Sequence, residues 1–194
     1  MMDDFRNMTS TSRGVRNNNP GNLRPSGDAW RGMVGQEDNF LVFETVQMGL
    51  RAMFIDLHTK ISKRGLKTIR QILKVYAPTS ENDTESYIRF VSRTTGIASN
   101  ACLNTHSDTL KAIGRAIVNY ENGTEAKYIT DTMIAEGLQL AARAREMVPN
   151  AASGKCGPVP SDGGNGGMIL AGIGVAAAIG YYYYRERKKE KQKA

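Results

Sequence analysis

The chain places three asparagines, Asn17 to Asn19, directly before Pro20, Gly21 and Asn22. This order excludes a helix or a central strand here. Asparagine side chains bond nearby backbone, proline fixes φ, and Gly21 can take a positive φ. The pattern predicts a tight loop, rich in amide donors and acceptors, with arginines on both sides. Such a surface suits a neutral polar polymer such as a glycan. The alternative is a loop whose amides satisfy one another.

Helical periodicity dominates the chain after residue 45. Apolar residues recur at three-and-four spacing and predict five helices, near 48–61, 69–76, 84–91, 109–120 and 125–147. Thr68 is a candidate N-cap for the second of these helices, and Gly65 a stop for the first. The segment 40–43 is the strand-like material before them. We expect a mostly α fold with a short β element, preceded by a mobile segment at 1–12.

The composition changes abruptly after residue 148, where the predicted domain 13–148 ends. Residues 149–167 are rich in Gly, Pro and Ser and predict a flexible linker. Residues 168–184 are uncharged and end in four tyrosines, and a basic tail follows at 185–194. This order is typical of a single membrane-spanning helix with an aromatic belt and a basic flank. A buried globular helix is the alternative.

The formal net charge of +7 does not indicate nucleic-acid binding, because the last ten residues supply four of these charges. Cys102 and Cys156, the two cysteines, either pair or stay as free thiols, and neither has the spacing of a metal ligand. His58 and His106 are isolated, so we expect neither a metal nor a cofactor. The first residues lack the apolar stretch of a secretory signal.

The residues from Arg13 to Gly123 carry a family resemblance. The sequence reads Gly14-Val-Arg-Asn-Asn-Asn-Pro-Gly-Asn22, then Trp30-Arg-Gly, then Phe40 and Phe43, then Gly49-Leu-Arg-Ala. This order resembles the virion-associated structural and muralytic proteins of phages and, more loosely, the glucosaminidases and transglycosylases of the lysozyme-like superfamily. The resemblance implies an α+β lysozyme-like fold and a peptidoglycan-cleaving domain that uses a glutamic acid as proton donor to the glycosidic oxygen.

Three glutamates are candidates for this acid. Glu121 ends an apolar helix, and the segment 116–123 resembles the Ala-Ile-Ile-x-x-Glu-Ser-Gly motif of lytic transglycosylases, with Asn122 in place of Ser. In that family this helix precedes the asparagine loop, whereas here it follows. A helix C-terminus raises a carboxyl pKa. Glu81 lies in a Pro-x-x-Glu-Asn-x-Thr segment that also reads as a helix N-cap. Glu44, beside Phe43, ranks third, and ordinary helix capping explains it equally well.

The resemblance implies that Asn17, Asn18, Asn19, Asn22 and Arg24 bind the N-acetyl groups and the glycan backbone. Trp30, Tyr87 and Tyr120 are candidates for stacking on sugar rings, although each also suits a protein core. The predicted protein is a membrane-anchored virion lytic transglycosylase or muramidase that opens the host cell wall in the periplasm. Its expected partners are peptidoglycan, the lipid membrane of the virion or host, and other virion membrane or capsid proteins. The alternatives are a non-catalytic virion membrane protein and a cross-link peptidase.

Overall fold

The computed structural model describes residues 2–77 and 83–144. Their elements are the helices α1 (Arg13–Arg16), α2 (Val46–Ser62), α3 (Ile69–Tyr76), α4 (Thr84–Thr95), α5 (Ser107–Asn122) and α6 (Asp131–Arg143), the strands β1 (Met33–Glu37) and β2 (Phe40–Phe43), and a 3-10 helix at Gly123–Tyr128. The long periodic segments therefore form helices as the sequence predicts. The last predicted helix begins later, because the 3-10 turn occupies its first residues.

Helix α2 is the centre of the domain. Nearly all of its residues are buried, and its largest side chains, including Leu50 and Phe54, are fully enclosed. Two glycines allow the neighbouring helices to approach it closely. A Cβ on Gly114 of α5 would lie 2.5 Å from the Phe54 ring, and one on Gly137 of α6 would lie 2.4 Å from Leu50. The core is therefore built where α5 and α6 pack on α2.

The two strands form an antiparallel hairpin in which β2 is largely buried and β1 is largely exposed. Asp38 and Asn39 join them, and both have positive φ, at 46° and 63°. Two consecutive residues in the left-handed region suit the tight two-residue turn that matches the natural twist of a hairpin. Leu41 and Phe43 point into the core, so Phe40 and Val42 share the opposite face of β2.

Side-chain caps fix the starts of three helices, and that of α6 is Thr130, which accepts from Met133 N–H. Thr68 accepts a hydrogen bond from the backbone N–H of Gln71 at the start of α3, as the sequence predicts. Asp83 accepts one from Ser86 N–H at the start of α4. These bonds satisfy backbone donors that have no partner within the helix.

The N-terminal segment, for which the polar composition predicts mobility, makes specific contacts with the domain. Asp3 exchanges hydrogen bonds with Gln47 of α2, and its carbonyl accepts from Val46 N–H. Phe5 and Met8 pack against the core. Backbone pairing and apolar contacts therefore attach residues 3–8 to the domain.

The fold prediction needs one correction. Within residues 2–77 and 83–144, no helix combines the length and the apolar character needed to cross a membrane. The described fold is thus mostly helical with a short two-stranded sheet, without the transmembrane helix that the prediction includes. The segments predicted as linker, membrane span and basic tail, 149–194, lie outside the described residues.

Candidate active site

Glu121 lies in the last turn of α5, half-buried between the asparagine loop and α4. Its Oε1 accepts a hydrogen bond from the Tyr87 hydroxyl at 2.9 Å, and its Oε2 accepts one from Asn22 Nδ2 at 2.8 Å. The contact with Asn22 joins residues 99 positions apart in the chain. The structure thus brings Glu121 together with Tyr87 and Asn22, two of the predicted substrate-binding residues.

The carboxyl group of Glu121 lies in a partly apolar environment. Burial raises the pKa of Glu121 above its usual value and outweighs the opposing effects. Those effects are the hydrogen bonds from Asn22 and Tyr87 and the positive charges of Arg13 and Arg24, all of which favour the carboxylate. A carboxylic acid with a raised pKa can stay protonated and donate its proton nearer neutral pH.

Tyr87 and Tyr120 form the aromatic side of the site. Their rings stack with centroids 3.7 Å apart, and Phe90 is tilted against Tyr120 at 5.3 Å. Tyr87 is 1% exposed, so its ring belongs to the core and its hydroxyl is the part that serves Glu121. Tyr120 is half-buried and keeps some surface next to the acid.

Two arginines form the other side of the site. The guanidinium carbon of Arg13 lies 3.4 Å from the centroid of the Phe40 ring, and that of Arg24 lies 4.6 Å from it. Among the described residues, Arg13 Nε and Asn22 Oδ1 are buried polar atoms without a hydrogen-bond partner. A donor and an acceptor thus remain unsatisfied on two residues that act on Glu121, and buried polar atoms of this kind are rare enough in native proteins to require an explanation. Arg13 was not among the predicted site residues.

Asn18 and Asn19 are completely buried. Asn18 accepts from Phe5 N–H and donates to the Phe43 carbonyl, at 2.8 and 3.1 Å. Asn19 donates to the carbonyls of Leu23 and Leu41 and accepts from Leu23 N–H, each at 2.9 Å. These amides hold the loop in shape and attach it to β2, so we infer a scaffolding role for them. The positive φ expected at Gly21 occurs instead at Asn18 and Asn22, at 50° and 49°.

Asn122 attaches this loop to the helix that carries the acid. Its Nδ2 donates to the Pro20 carbonyl at 2.8 Å and to the Val118 carbonyl at 2.9 Å. Its Oδ1 accepts from the Ser12 hydroxyl at 3.0 Å. Tyr76 supports the same turn, because its hydroxyl donates to the Gly21 carbonyl. Asn122 is visible in the sequence as a departure from the usual serine, whereas the role of Tyr76 is not, because such long-range contacts leave no local pattern.

The remaining candidates lie elsewhere. Glu44 is exposed at the start of α2, where its side chain covers Gly32 and its backbone N–H donates to the Gly32 carbonyl at 2.8 Å. Trp30 is half-buried and packs against the core beside the hairpin. Glu81 lies outside the described residues. The catalytic roles predicted for the glutamates and the substrate-binding roles predicted for the other positions stay predictions.

The described ranges contain no group of three His, Cys, Asp or Glu side chains arranged to hold a metal ion. His58 is buried in α2, where its carbonyl accepts from the Ser62 hydroxyl at 2.7 Å. Cys102 is disulfide-bonded, and Cys156 lies outside the described residues.

Fold and site together define a small helical domain that holds a half-buried glutamic acid against an asparagine-rich loop. No protein-family profile matches the chain. The chain is 38% identical to protein P5 of Pseudoalteromonas phage PM2 over 122 residues, which cover 60% of this chain and 75% of that protein. The chain therefore belongs to the family of this phage protein. The prediction of a phage protein is thereby confirmed, and the resemblance to lysozyme-like enzymes stays a prediction.

Proposed function

We propose that this domain cleaves the glycan strands of peptidoglycan, with Glu121 as the general acid. The observation that carries the proposal is the environment of that carboxyl, whose pKa is raised by burial and whose two oxygens are oriented by Tyr87 and Asn22. A raised pKa in a fixed carboxylic acid is what protonation of a glycosidic oxygen requires.

In the proposed reaction, Glu121 gives its proton to the oxygen between MurNAc and GlcNAc as the bond from C1 of MurNAc to that oxygen breaks. Positive charge develops at C1, and the Glu121 carboxylate formed in this step is stabilised by the Tyr87 and Asn22 donors. A nucleophilic oxygen then bonds to C1 and returns its proton to Glu121. Water as nucleophile gives a reducing end, and the 6-hydroxyl of the same sugar gives an anhydro end.

The arginines and the loop have separate tasks in this proposal. Arg13 and Arg24 lie on the Phe40 face and contribute positive charge near the acid, which favours the carboxylate once the proton has left. Asn18 and Asn19 keep the loop rigid, so that Asn22 meets Glu121 at a fixed distance. Because the groups are already held in position, less entropy is lost on reaching the transition state.

The family relationship to a phage protein supports the phage setting of this proposal. We propose that the virion carries the domain and that it opens peptidoglycan locally in the periplasm while the genome is delivered. Other virion proteins are its expected partners there.

The test is clearing of purified Gram-negative peptidoglycan by the full-length protein, with Glu121→Gln as the decisive variant. Glu44→Gln and Glu81→Gln remove the other two candidates, and Glu85→Gln, an exposed position on α4, is the matched control. We expect Glu121→Gln alone to lower the rate by at least 100-fold, the lower end of general-acid contributions. Mass spectrometry of the products distinguishes reducing from anhydro ends.

Loss of clearing in Glu81→Gln with full activity in Glu121→Gln would move the acid and contradict the proposal. A folded wild-type protein that clears no peptidoglycan would favour the non-catalytic virion protein. Release of peptide fragments with intact glycan strands would indicate the peptidase instead.

A further inference from the structure

A cavity outside the site around Glu121 lies between α4, the start of α3 and the segment that follows α4. Its volume is about 490 Å³, within the range of sites for small molecules. Three arginines contribute to its lining, together with Ile88, Ser92 and residues 96–99, and the arginines are Arg70, Arg89 and Arg93. No acidic residue is among these lining residues. We call this cavity the arginine groove.

Arg70 is held firmly in one wall of the arginine groove. Its Nη1 donates to the Glu85 carboxylate at 2.6 Å, and its Nε donates to Asn100 Oδ1 at 3.2 Å. Its backbone N–H donates to the Ser99 carbonyl at 3.0 Å. These bonds attach the segment after α4 to α3. The positive charge of Arg70 is partly offset by Glu85, so we assign Arg70 the task of shaping the groove.

Arg89 and Arg93 present their charges to solvent. Both are exposed, and they are four positions apart on α4, so they lie on the same side of that helix. Arg89 donates to the Ser86 hydroxyl at 2.6 Å and lies near Asp83. Within residues 2–77 and 83–144, the side chain of Arg93 has neither an ion pair nor a hydrogen bond. Arg93 is therefore a free guanidinium at the edge of a cavity.

The charge and the lining of the arginine groove favour a short acidic peptide as its occupant. A guanidinium group matches a carboxylate with two parallel hydrogen bonds. Ile97 and Ala98 offer apolar contacts for small side chains such as methyl groups. Three arginines are fewer than the roughly four to eight basic residues typical of binding to an anionic lipid surface. A nucleic acid likewise requires a longer basic surface.

The arginine groove begins next to the proposed acid. Phe90 of α4 is tilted against Tyr120, the residue before Glu121, with ring centroids 5.3 Å apart. Burial raises the pKa of Tyr120, and the nearby positive charge of Arg89 opposes that rise. Arg93 lies four residues further along α4, about 6 Å at the rise of a helix. Since three extended residues span about 10 Å, a peptide carried by a sugar beside Tyr120 reaches both arginines.

We propose that the arginine groove binds the acidic stem peptide of peptidoglycan, with Arg89 and Arg93 paired to its carboxylates. The inference rests on the proposed function, in that the peptide belongs to the glycan strand cut at Glu121. Ile97 and Ala98 contact the alanine methyl groups of the peptide. The groove thus selects strands whose peptides keep free carboxylates over bare strands and over strands with amidated peptides.

The test measures binding of the disaccharide tripeptide GlcNAc-MurNAc-Ala-γ-Glu-diaminopimelate by calorimetry to the full-length Glu121→Gln protein. Arg89→Gln and Arg93→Gln are made in this background. Arg64→Gln is the matched control, because it removes the same charge from an exposed position outside the groove. We expect Arg89→Gln and Arg93→Gln each to weaken binding about tenfold, the lower end for hydrogen bonds to charged groups. We expect Arg64→Gln to leave binding unchanged.

A second ligand tests the carboxylates themselves. The same disaccharide tripeptide with its carboxylates converted to amides should bind about tenfold more weakly, since each lost charge removes one charge-assisted pair. Binding of the acidic ligand should weaken as salt is added, because salt screens exposed charges. Circular dichroism of each variant separates lost binding from lost folding.

Equal affinity of Arg89→Gln, Arg93→Gln and Arg64→Gln would overturn the proposal, as would equal affinity for the acidic and amidated ligands or no binding at all. Arg93-dependent binding to phosphatidylglycerol vesicles without binding of the peptide would assign the groove to lipid and reject the proposal. Clearing that is lost with Glu121→Gln would leave the proposed function standing in each of these cases. Arg93-dependent peptide binding by a wild-type protein that clears no peptidoglycan would support the groove and reject the catalytic proposal.

Discussion

Replacement of Gly49 by alanine tests whether close packing of α2 on the asparagine loop sets the geometry of the site. A Cβ at Gly49 would lie 1.9 Å from the carbonyl oxygen of Asn18, where ordinary contacts begin at 3.4 Å. The helix and the loop must therefore separate by about 1.5 Å, the difference between these two distances. That displacement strains the buried bonds of Asn18 and Asn19.

The expected cost of Gly49→Ala follows from three contributions. Overpacking costs about 1–3 kcal/mol, and a buried polar group that loses its bond adds about 1–3 kcal/mol. Alanine returns about 1 kcal/mol through its higher helix propensity. We expect a net loss of about 1–5 kcal/mol in the free energy of unfolding. At about 4 °C per kcal/mol for a domain of this size, the midpoint of thermal unfolding falls by roughly 4–20 °C.

Thermal and urea unfolding of the full-length protein, followed by circular dichroism, measures this loss. Gly35→Ala is the control, because a Cβ there meets nothing within 4 Å and the expected change is within about 0.5 kcal/mol. We also expect Gly49→Ala to reduce clearing of peptidoglycan below the unfolding temperature, since the loop carries Asn22. A variant as stable and as active as Gly35→Ala would refute the inferred coupling between α2 and the loop.

Three further outcomes are expected. Activity should fall as the pH rises through the raised pKa of Glu121. Tyr87→Phe should move this fall to higher pH, because the variant lacks a hydrogen-bond donor that favours the carboxylate. A pH–rate profile shifted to lower pH would contradict the assignment of Glu121 as the acid. The pKa of Glu121 is higher in the folded protein than in the unfolded chain, so the free energy of unfolding should decrease as the pH rises from the unfolded pKa to the folded pKa. Urea titrations of Glu121→Gln should not show that decrease. Asn19→Ala should lower the free energy of unfolding by about 3 kcal/mol, because the variant loses three buried hydrogen bonds. The control Asn7→Ala, at an exposed position, should lower it by less than about 0.5 kcal/mol. Equal midpoints of thermal unfolding for the two variants would exclude the scaffolding role of Asn19.

The helical part of the fold is predictable from local sequence because its signals are local. Apolar residues at three-and-four spacing define the buried faces, and the Thr68 cap is visible as a threonine before such a face. The attachment of the N-terminal segment is not predictable in this way. Asp3 and Gln47 are 44 positions apart, and no short-range pattern pairs them. The 3-10 turn before α6 is likewise not predictable, because its residues continue the helical spacing of apolar residues.

The candidate site was predictable in part. Glu121 is recognisable by its place at the end of an apolar helix and by a family resemblance, and the structure brings it to Asn22 of the predicted loop. Which amides of that loop face inward is not readable from the sequence, because Asn17, Asn18 and Asn19 are chemically identical. Tertiary contacts alone assign Asn18 and Asn19 to the interior and leave the Asn17 donor without a partner.

The contacts that create the acid have a kinetic consequence. Asn22 and Glu121, Pro20 and Asn122, and Ser12 and Asn122 are each separated by about 100 positions or more. Closing such long loops is entropically costly, so we expect contacts of this kind to form after the local helices during folding. Before they form, Glu121 is expected to be a solvated side chain with an ordinary carboxyl pKa. On this expectation, the chain acquires its acid only when the loop and α5 meet.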